Sequence, residues 1–326
     1  MNLKSTLLGG GAVVALAFTL VGCSAGGDSP AATDGAAAIT LVPGTKGSPF
    51  YEAMACGAQA AADEFGATLT VAAPDTWGAA TQLPVLDTVA AQNPDALLVV
   101  PTDVDALTER LQSIKDAGTP IVELDQKITD DSVSVSRIAS DDTEGGRLAA
   151  QALAEQIGGS GKVMAISSPP GTDAQYVRVD GFKQELEENY PDIEFIGEEY
   201  ALNDVTAAAG FVTAALASDP DLAGIFVAND VNAIGAVTGL EEAGAVGTVK
   251  VVAYDAAETE VDALNAGSVQ ALIAQDPYGE GYQGVQQALA ALDGEATEAT
   301  ISIPLQILTT EDAAGLEEYL ARNGSC

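Results

Sequence analysis

Four short apolar runs each end in an acidic side chain, two of them after a further polar residue: residues 96–103 (ALLVVPTD), 120–125 (PIVELD), 224–230 (GIFVAND) and 249–255 (VKVVAYD). Runs rich in Val, Ile and Leu, set apart by helix-length segments, read as buried parallel strands. Alternation of this kind points to an open α/β sheet with helices on both faces. Such sheets take ligands at the carboxyl ends of their strands, which is where these runs carry their polar residues.

The same grammar extends along the chain. Strands are expected at 39–43, 68–72, 96–101, 120–124 and 133–138. Ser48-Pro49 opens a helix that carries Phe50, Tyr51 and Met54, with the proline suited to its first turn. Another helix is expected over 103–117, where Val104, Leu107, Leu111 and Ile114 recur at the helical period between an Asp103 cap and Gly118. A second series begins near Asp141: helix 142–157, strand 162–167, helix 173–189, strand 193–200, helix 204–217, strand 224–228, helix 231–243 and strand 249–254. A short helix at 261–265, strand 269–274, helix 278–292 and one late strand over 301–308 complete it.

A chain of 326 residues exceeds the usual size of one core, so two are expected. The predicted fold class is α/β, with two doubly wound parallel-sheet lobes joined by a multi-strand hinge. Crossings near Ser140, Gln275 and Ile303 assign 39–140 plus 276–303 to an N-terminal lobe, and 141–275 plus 304–326 to a C-terminal lobe and its tail.

Composition removes several functions. Twelve Lys and Arg against 48 Asp and Glu give a formal charge of −36, which repels nucleic acid and anionic surfaces. The absence of His takes away the commonest general base and the favoured zinc ligand. No run has the spacing of a metal loop, and no cofactor is implied. Gly158-Gly159-Ser160-Gly161-Lys162 lacks the first Gly and the Ser/Thr of a phosphate loop and reads as a helix-to-strand turn. Asp125 with Asp255 could be cast as a glycosidase pair, but nothing in the sequence raises one pKa selectively, so an enzyme is not expected.

The first 22 residues, with Lys4 and an apolar stretch over 7–20, have the build of a secretory signal. Leu20-Val21-Gly22-Cys23 resembles the lipobox of bacterial lipoproteins, which implies a lipidated Cys23 anchored to the outer face of the cytoplasmic membrane. Residues 23–38 lack apolar bulk and read as a flexible tether. Export would place Cys56 and Cys326 in an oxidising compartment, where a bridge between them would tie the last residue back onto the first helix and suppress fraying of the C-terminal segment; free thiols are the alternative.

Eight strings in order then carry a family resemblance: Ser48-Pro49-Phe50-Tyr51, Pro101-Thr102-Asp103, Leu124-Asp125-Gln126, Ile138-Ala139-Ser140-Asp141, Gly171-Thr172 through Arg178 to Gly181-Phe182, Ala228-Asn229-Asp230, Tyr254-Asp255 and Ile273-Ala274-Gln275. From Ile39 to about Leu308 the chain resembles the type I periplasmic binding proteins, in particular the ribose-binding-like sugar receptors of ABC transporters. The resemblance implies that Phe50 and Tyr51 sandwich a sugar ring beside Ser48, and that Asp125, Arg178, Asn229, Asp255 and Gln275 bond its hydroxyls. Acceptor-only carboxylates, a donor-only guanidinium and two-way amides suit hydroxyls that both donate and accept. Gln126 stands where ribose receptors have Arg, and Asn203 where they place an aromatic residue, so the guest is a monosaccharide or related polyol rather than ribose by default. Other readings of single residues are an ion pair of Arg178 with Asp180 or Glu185, helix capping by Asp103 and Asp230, and packing or rim roles for Trp77.

The partners so implied are a small sugar or polyol and an ABC permease, with membrane contact through the lipid anchor, no nucleic acid, and a monomeric protein. The alternative is a sugar-sensing module feeding a chemoreceptor or histidine kinase.

Overall fold

The computed structural model describes residues 35–169, 174–324 and 326. The secretory signal, Cys23 and most of the tether lie outside the described residues. The first series runs β1 (Ala38–Val42), α1 (Pro49–Phe65), β2 (Thr68–Val71), α2 (Ala79–Gln92), β3 (Ala96–Val99), α3 (Thr108–Asp116), β4 (Ile121–Leu124) and β5 (Ser136–Ser140). The second runs α4 (Asp142–Ile157), β6 (Gly161–Ser167), α5 (Gln175–Asn189), β7 (Ile193–Tyr200), α6 (Val205–Ser218), β8 (Leu222–Val227), α7 (Asp230–Ala243), β9 (Lys250–Tyr254), α8 (Glu258–Ala266) and β10 (Ala271–Ala274). The chain ends with α9 (Pro277–Leu292), β11 (Thr300–Ile303), β12 (Gln306–Leu308) and α10 (Ala313–Asn323).

These strands build two six-stranded sheets, ordered β11-β5-β4-β3-β1-β2 and β12-β10-β9-β8-β6-β7. The first is parallel throughout, and in the second only β12 runs antiparallel, to β10. The central strands of each sheet are buried on both faces because they carry apolar residues at successive positions. Leu97 and Val99 pack with Leu107 and Leu111 beneath α3, while Leu98 between them packs with Met54 and Val285 from α1 and α9. The second sheet divides its core the same way, with Ile225 and Val227 on one side and Phe226 with Phe182 on the other. This is the two-lobed α/β architecture expected from the sequence.

Several local expectations are corrected. Helix α3 starts at Thr108 rather than Asp103, because Asp103 Oδ1 accepts from the amides of Asp105 and Ala106, at 3.0 and 2.7 Å, and so closes a separate turn. The single strand expected over 301–308 is two strands in different sheets, with Pro304 between them and unable to donate to a ladder. Strand β5 begins at Ser136 instead of Val133, and α10 forms in a stretch read only as a tail. The glycine-rich stretch is the turn it was expected to be: Gly158 and Gly159 take φ of 74° and 77° as α4 gives way to β6. Cys56 in α1 and Cys326 are joined by a disulfide, with their Cα atoms 5.8 Å apart.

Candidate functional site

The carboxyl edge of each sheet presents a matching aspartate. Asp125 follows β4 and Asp255 follows β9, each the third strand from one end of its sheet. Both take positive φ, 59° and 79°, and both amides donate to the neighbouring strand at 2.9 Å, to the carbonyls of Ile138 and Ile273. Asp is among the few non-glycine residues that tolerate this backbone region, and the turn lifts each carboxylate off the strand end.

On the first sheet, Tyr51 Oη donates to Asp125 Oδ2 at 3.0 Å. Phe50 stands edge-on to the Tyr51 ring at 5.3 Å. Both rings are placed by the first turn of α1, which Ser48 precedes as N-cap without a side-chain capping bond. Gln126 lies beside them, its amide 3.4 Å from Asp125 Oδ1.

On the second sheet, Arg178 is the organising side chain. Its Nε donates to Asp142 at 2.8 Å and its Nη1 to the carbonyl of Ala228 at 2.9 Å, while Asp255 lies 4.0 Å away. The guanidinium lies over the Tyr254 ring, 3.8 Å from the centroid, an arrangement that favours the cation. Gln275 Nε2 donates to Asp255 Oδ1 at 2.7 Å. Asn229 caps α7 by accepting from the Asn232 amide and donates to Asn203 Oδ1 at 2.8 Å, which Gln175 also reaches at 3.0 Å.

The alternative ion pairs of Arg178 are overturned, since Asp180 pairs with Lys183 and Glu185 with Arg147. The cap of α7 is likewise Asn229 and not Asp230, which is already the first helical residue.

Electrostatics couples the two edges. Burial pushes Asp125 up to about 7, against the pull of Arg178, with Asp142 and Asp255 adding to the rise. Asp255 is pushed up to about 6, again chiefly by burial, with Arg178 opposing. Arg178 is itself buried, yet Asp142, Tyr254 and Asp255 raise its pKa and keep it charged. The carboxylate of the first sheet therefore feels the charges of the second. Behind them Glu280, fully buried in α9 with neither oxygen hydrogen-bonded, is raised well above the carboxylate range by burial, with Asp125 and Asp142 adding to it.

Sequence reasoning missed Asp142, Tyr254, Gln175 and Glu280. Asp142 was hidden by Asp141, which takes the cap of α4 by accepting from the Glu144 amide at 3.0 Å and frees its neighbour for Arg178. Tyr254 read as strand core, and Glu280 lies on a helix face where a charge is not expected inside. No group of metal-ligating side chains occurs among the described residues.

The match to the periplasmic binding protein domain covers residues 39–296. This chain belongs to the periplasmic binding protein family, type I. Among the relatives of this binding protein, the ribose import binding protein of Escherichia coli is 31% identical over 84% of this chain and 90% of its own. An ABC transporter solute-binding protein from Agrobacterium vitis, solved with α-D-tagatopyranose, is 37% identical, covers 86% of this chain and 97% of its own, and has a TM-score of 0.81. A solute-binding protein from Actinobacillus succinogenes, solved with D-allose, is 28% identical with a TM-score of 0.79, covering 85% and 99%. These relatives are binding proteins rather than enzymes.

Proposed function

We propose that this protein is an exported solute-binding lipoprotein of an ABC importer that captures a monosaccharide or related polyol between its two lobes. Residues 39–140 plus 276–303 form one lobe, and 141–275 plus 304–326 the other. Ser48, Phe50, Tyr51, Asp125 and Gln126 contact the guest from the first lobe, and Arg178, Asn203, Asn229, Asp255 and Gln275 from the second. Cys23 carries the lipid and holds the monomeric protein beside its permease.

One observation carries the reading. Two carboxylates on opposite sheets, each already held by a neutral donor, Tyr51 or Gln275, feel one guanidinium, which a third acid, Asp142, holds in place. A ring of hydroxyls can donate to the two carboxylates and accept from the guanidinium, at about 1.5 to 3 kcal/mol for each bond to a charged group. The names of the relatives point the same way, to ribose, tagatopyranose and allose. Contacts from both lobes favour the closed form, since only differential affinity shifts such an equilibrium.

A thermal-shift screen with pentoses, hexoses and pentitols tests the reading. A ligand at about 100 times its Kd stabilises by about 2.7 kcal/mol, and no shift with any member would remove the sugar-receptor function. Labelling cells with a fatty-acid analogue tests the anchor, where Cys23→Ala should lose the label and leave the membrane fraction.

A further inference from the structure

Trp77, the only tryptophan in the chain, sits in the loop between β2 and α2, at the same carboxyl edge as Asp125. Its indole lies parallel to the Tyr51 ring, with centroids 6.5 Å apart and planes inclined by 15°. Phe50, Tyr51 and Trp77 thus form one continuous aromatic wall. A Cβ at position 44 would run into both the indole and the Tyr51 hydroxyl, so Gly44 is what admits the pair.

The loop is fixed in place. The Lys46 amide donates to the Pro74 carbonyl at 3.0 Å, Lys46 pairs with Asp75, and Thr81 Oγ1 donates to the carbonyl of Thr76 at 2.5 Å. A loop held from three sides presents a large apolar ring that remains 39% exposed. Packing against Tyr51 would account for a fully covered ring, but not for a pinned and open one beside the tyrosine that bonds Asp125.

We propose that Trp77 contacts the ligand, packing its open face on the C–H surface of a ring sugar, and that it sets a preference for cyclic sugars over open-chain polyols. The inference rests on the sugar-receptor reading above. A pyranose or furanose gathers C–H groups on a rigid face that a flat indole can cover. An extended alditol spreads its hydroxyls around the chain and offers no such face, so it forgoes the stacking while keeping the hydrogen bonds to Asp125, Arg178 and Asp255.

Titration calorimetry of the wild type, Trp77→Phe and Trp77→Ala against D-ribose, D-tagatose, D-allose, ribitol and xylitol tests it. Trp77→Ala should weaken every ring sugar that the wild type binds by about tenfold, the scale of one aromatic contact, and leave the pentitols within about twofold. Trp77→Phe should fall between. In the wild type, a saturating ring sugar should shield the sole tryptophan from acrylamide quenching. Equal weakening of both classes, no weakening, unchanged quenching, or a wild type that binds pentitols but no ring sugar would each overturn the inference while leaving the receptor function standing. A wild type that binds none of the five compounds overturns both.

Discussion

Asp125 is part-buried at the carboxyl edge of the first sheet, where Tyr51 donates to it. Its carboxyl is raised to about 7 and that of Asp255 to about 6, both above the unfolded value of about 3.9. A raised carboxyl pKa means that the native state binds more protons than the unfolded chain between the two values. The stabilisation is therefore complete below about pH 4 and is lost as pH rises through about 6 for Asp255 and about 7 for Asp125, at about 1.4 kcal/mol per pH unit for each group within its own window. Asp125→Asn should flatten that slope, raise the stability of the ligand-free protein at pH 8, and abolish sugar binding; urea titrations at pH 5 and pH 8 with calorimetry at each would check this. Arg178 behaves oppositely. Arg178→Ala leaves Asp142 and Asp255 facing one another without their cation, so it should cost about 3 to 5 kcal/mol of stability and all measurable affinity. Denaturation of this variant would tell it from Asp125→Asn, which loses only the affinity. At this scale the sequence was legible where a polar residue ended an apolar run, as at Asp125, Asn229 and Asp255. It was illegible where a neighbour offered a simpler role, as Asp141 did for Asp142, or where an aromatic residue could serve as core, as at Tyr254.

Helices share with the strand ends the aiming of these side chains, since Phe50 and Tyr51 stand on α1 and Arg178 on α5. The apolar strands were readable because successive buried positions leave few alternatives, whereas the ends of α3 and β5 depended on turns such as the one closed by Asp103. The break at Pro304 that divides the last expected strand into β11 and β12 was not readable from its apolar pattern, which runs on through the proline. Helices α4 and α5 approach so closely that a Cβ on Gly146 would run into the Arg178 carbonyl and the Phe182 amide nitrogen. Gly146→Ala should push α5 away, cost about 1 to 3 kcal/mol, and weaken binding because Arg178 moves with that turn. Gly210 in α6 provides the contrast, with open space where a Cβ would stand. Gly210→Ala should stabilise by about 0.5 to 1 kcal/mol without touching affinity, and paired melting and titration curves for the two variants would separate packing from intrinsic helix preference.

Across the whole molecule, two sheets with interleaved chain order were foreseeable from the repeated strand-helix grammar, and so was a Cys56–Cys326 bridge at the C-terminus, while the helix α10 that leads to it was not. Leu316 and Tyr319 of α10 pack into the core of the second sheet. Beyond them, Arg322 Nε bonds both oxygens of Asp276, at 2.9 and 3.0 Å, Asn323 accepts from the Tyr278 amide at 3.1 Å, and Cys326 is bonded to Cys56 in α1 against the first sheet. The disulfide, 270 residues apart in sequence, therefore ties a segment seated on one sheet to a helix seated on the other. It adds a covalent link beside the passages of the chain at 140–142, 274–277 and 303–306. If the lobes move about those passages, the bond must limit how far they part. The paired Cys56→Ser and Cys326→Ser variant should lose about 2 to 5 kcal/mol of stability. Its ligand-free form should also sample wider separations between fluorophores placed on the two lobes, while the sugar-saturated form keeps the wild-type separation. A larger open population lowers the fraction ready to bind, so affinity should fall with it. An unchanged distance distribution in the variant would mean that α10 and the Asp276 contacts already restrain the hinge, and that the disulfide serves stability alone.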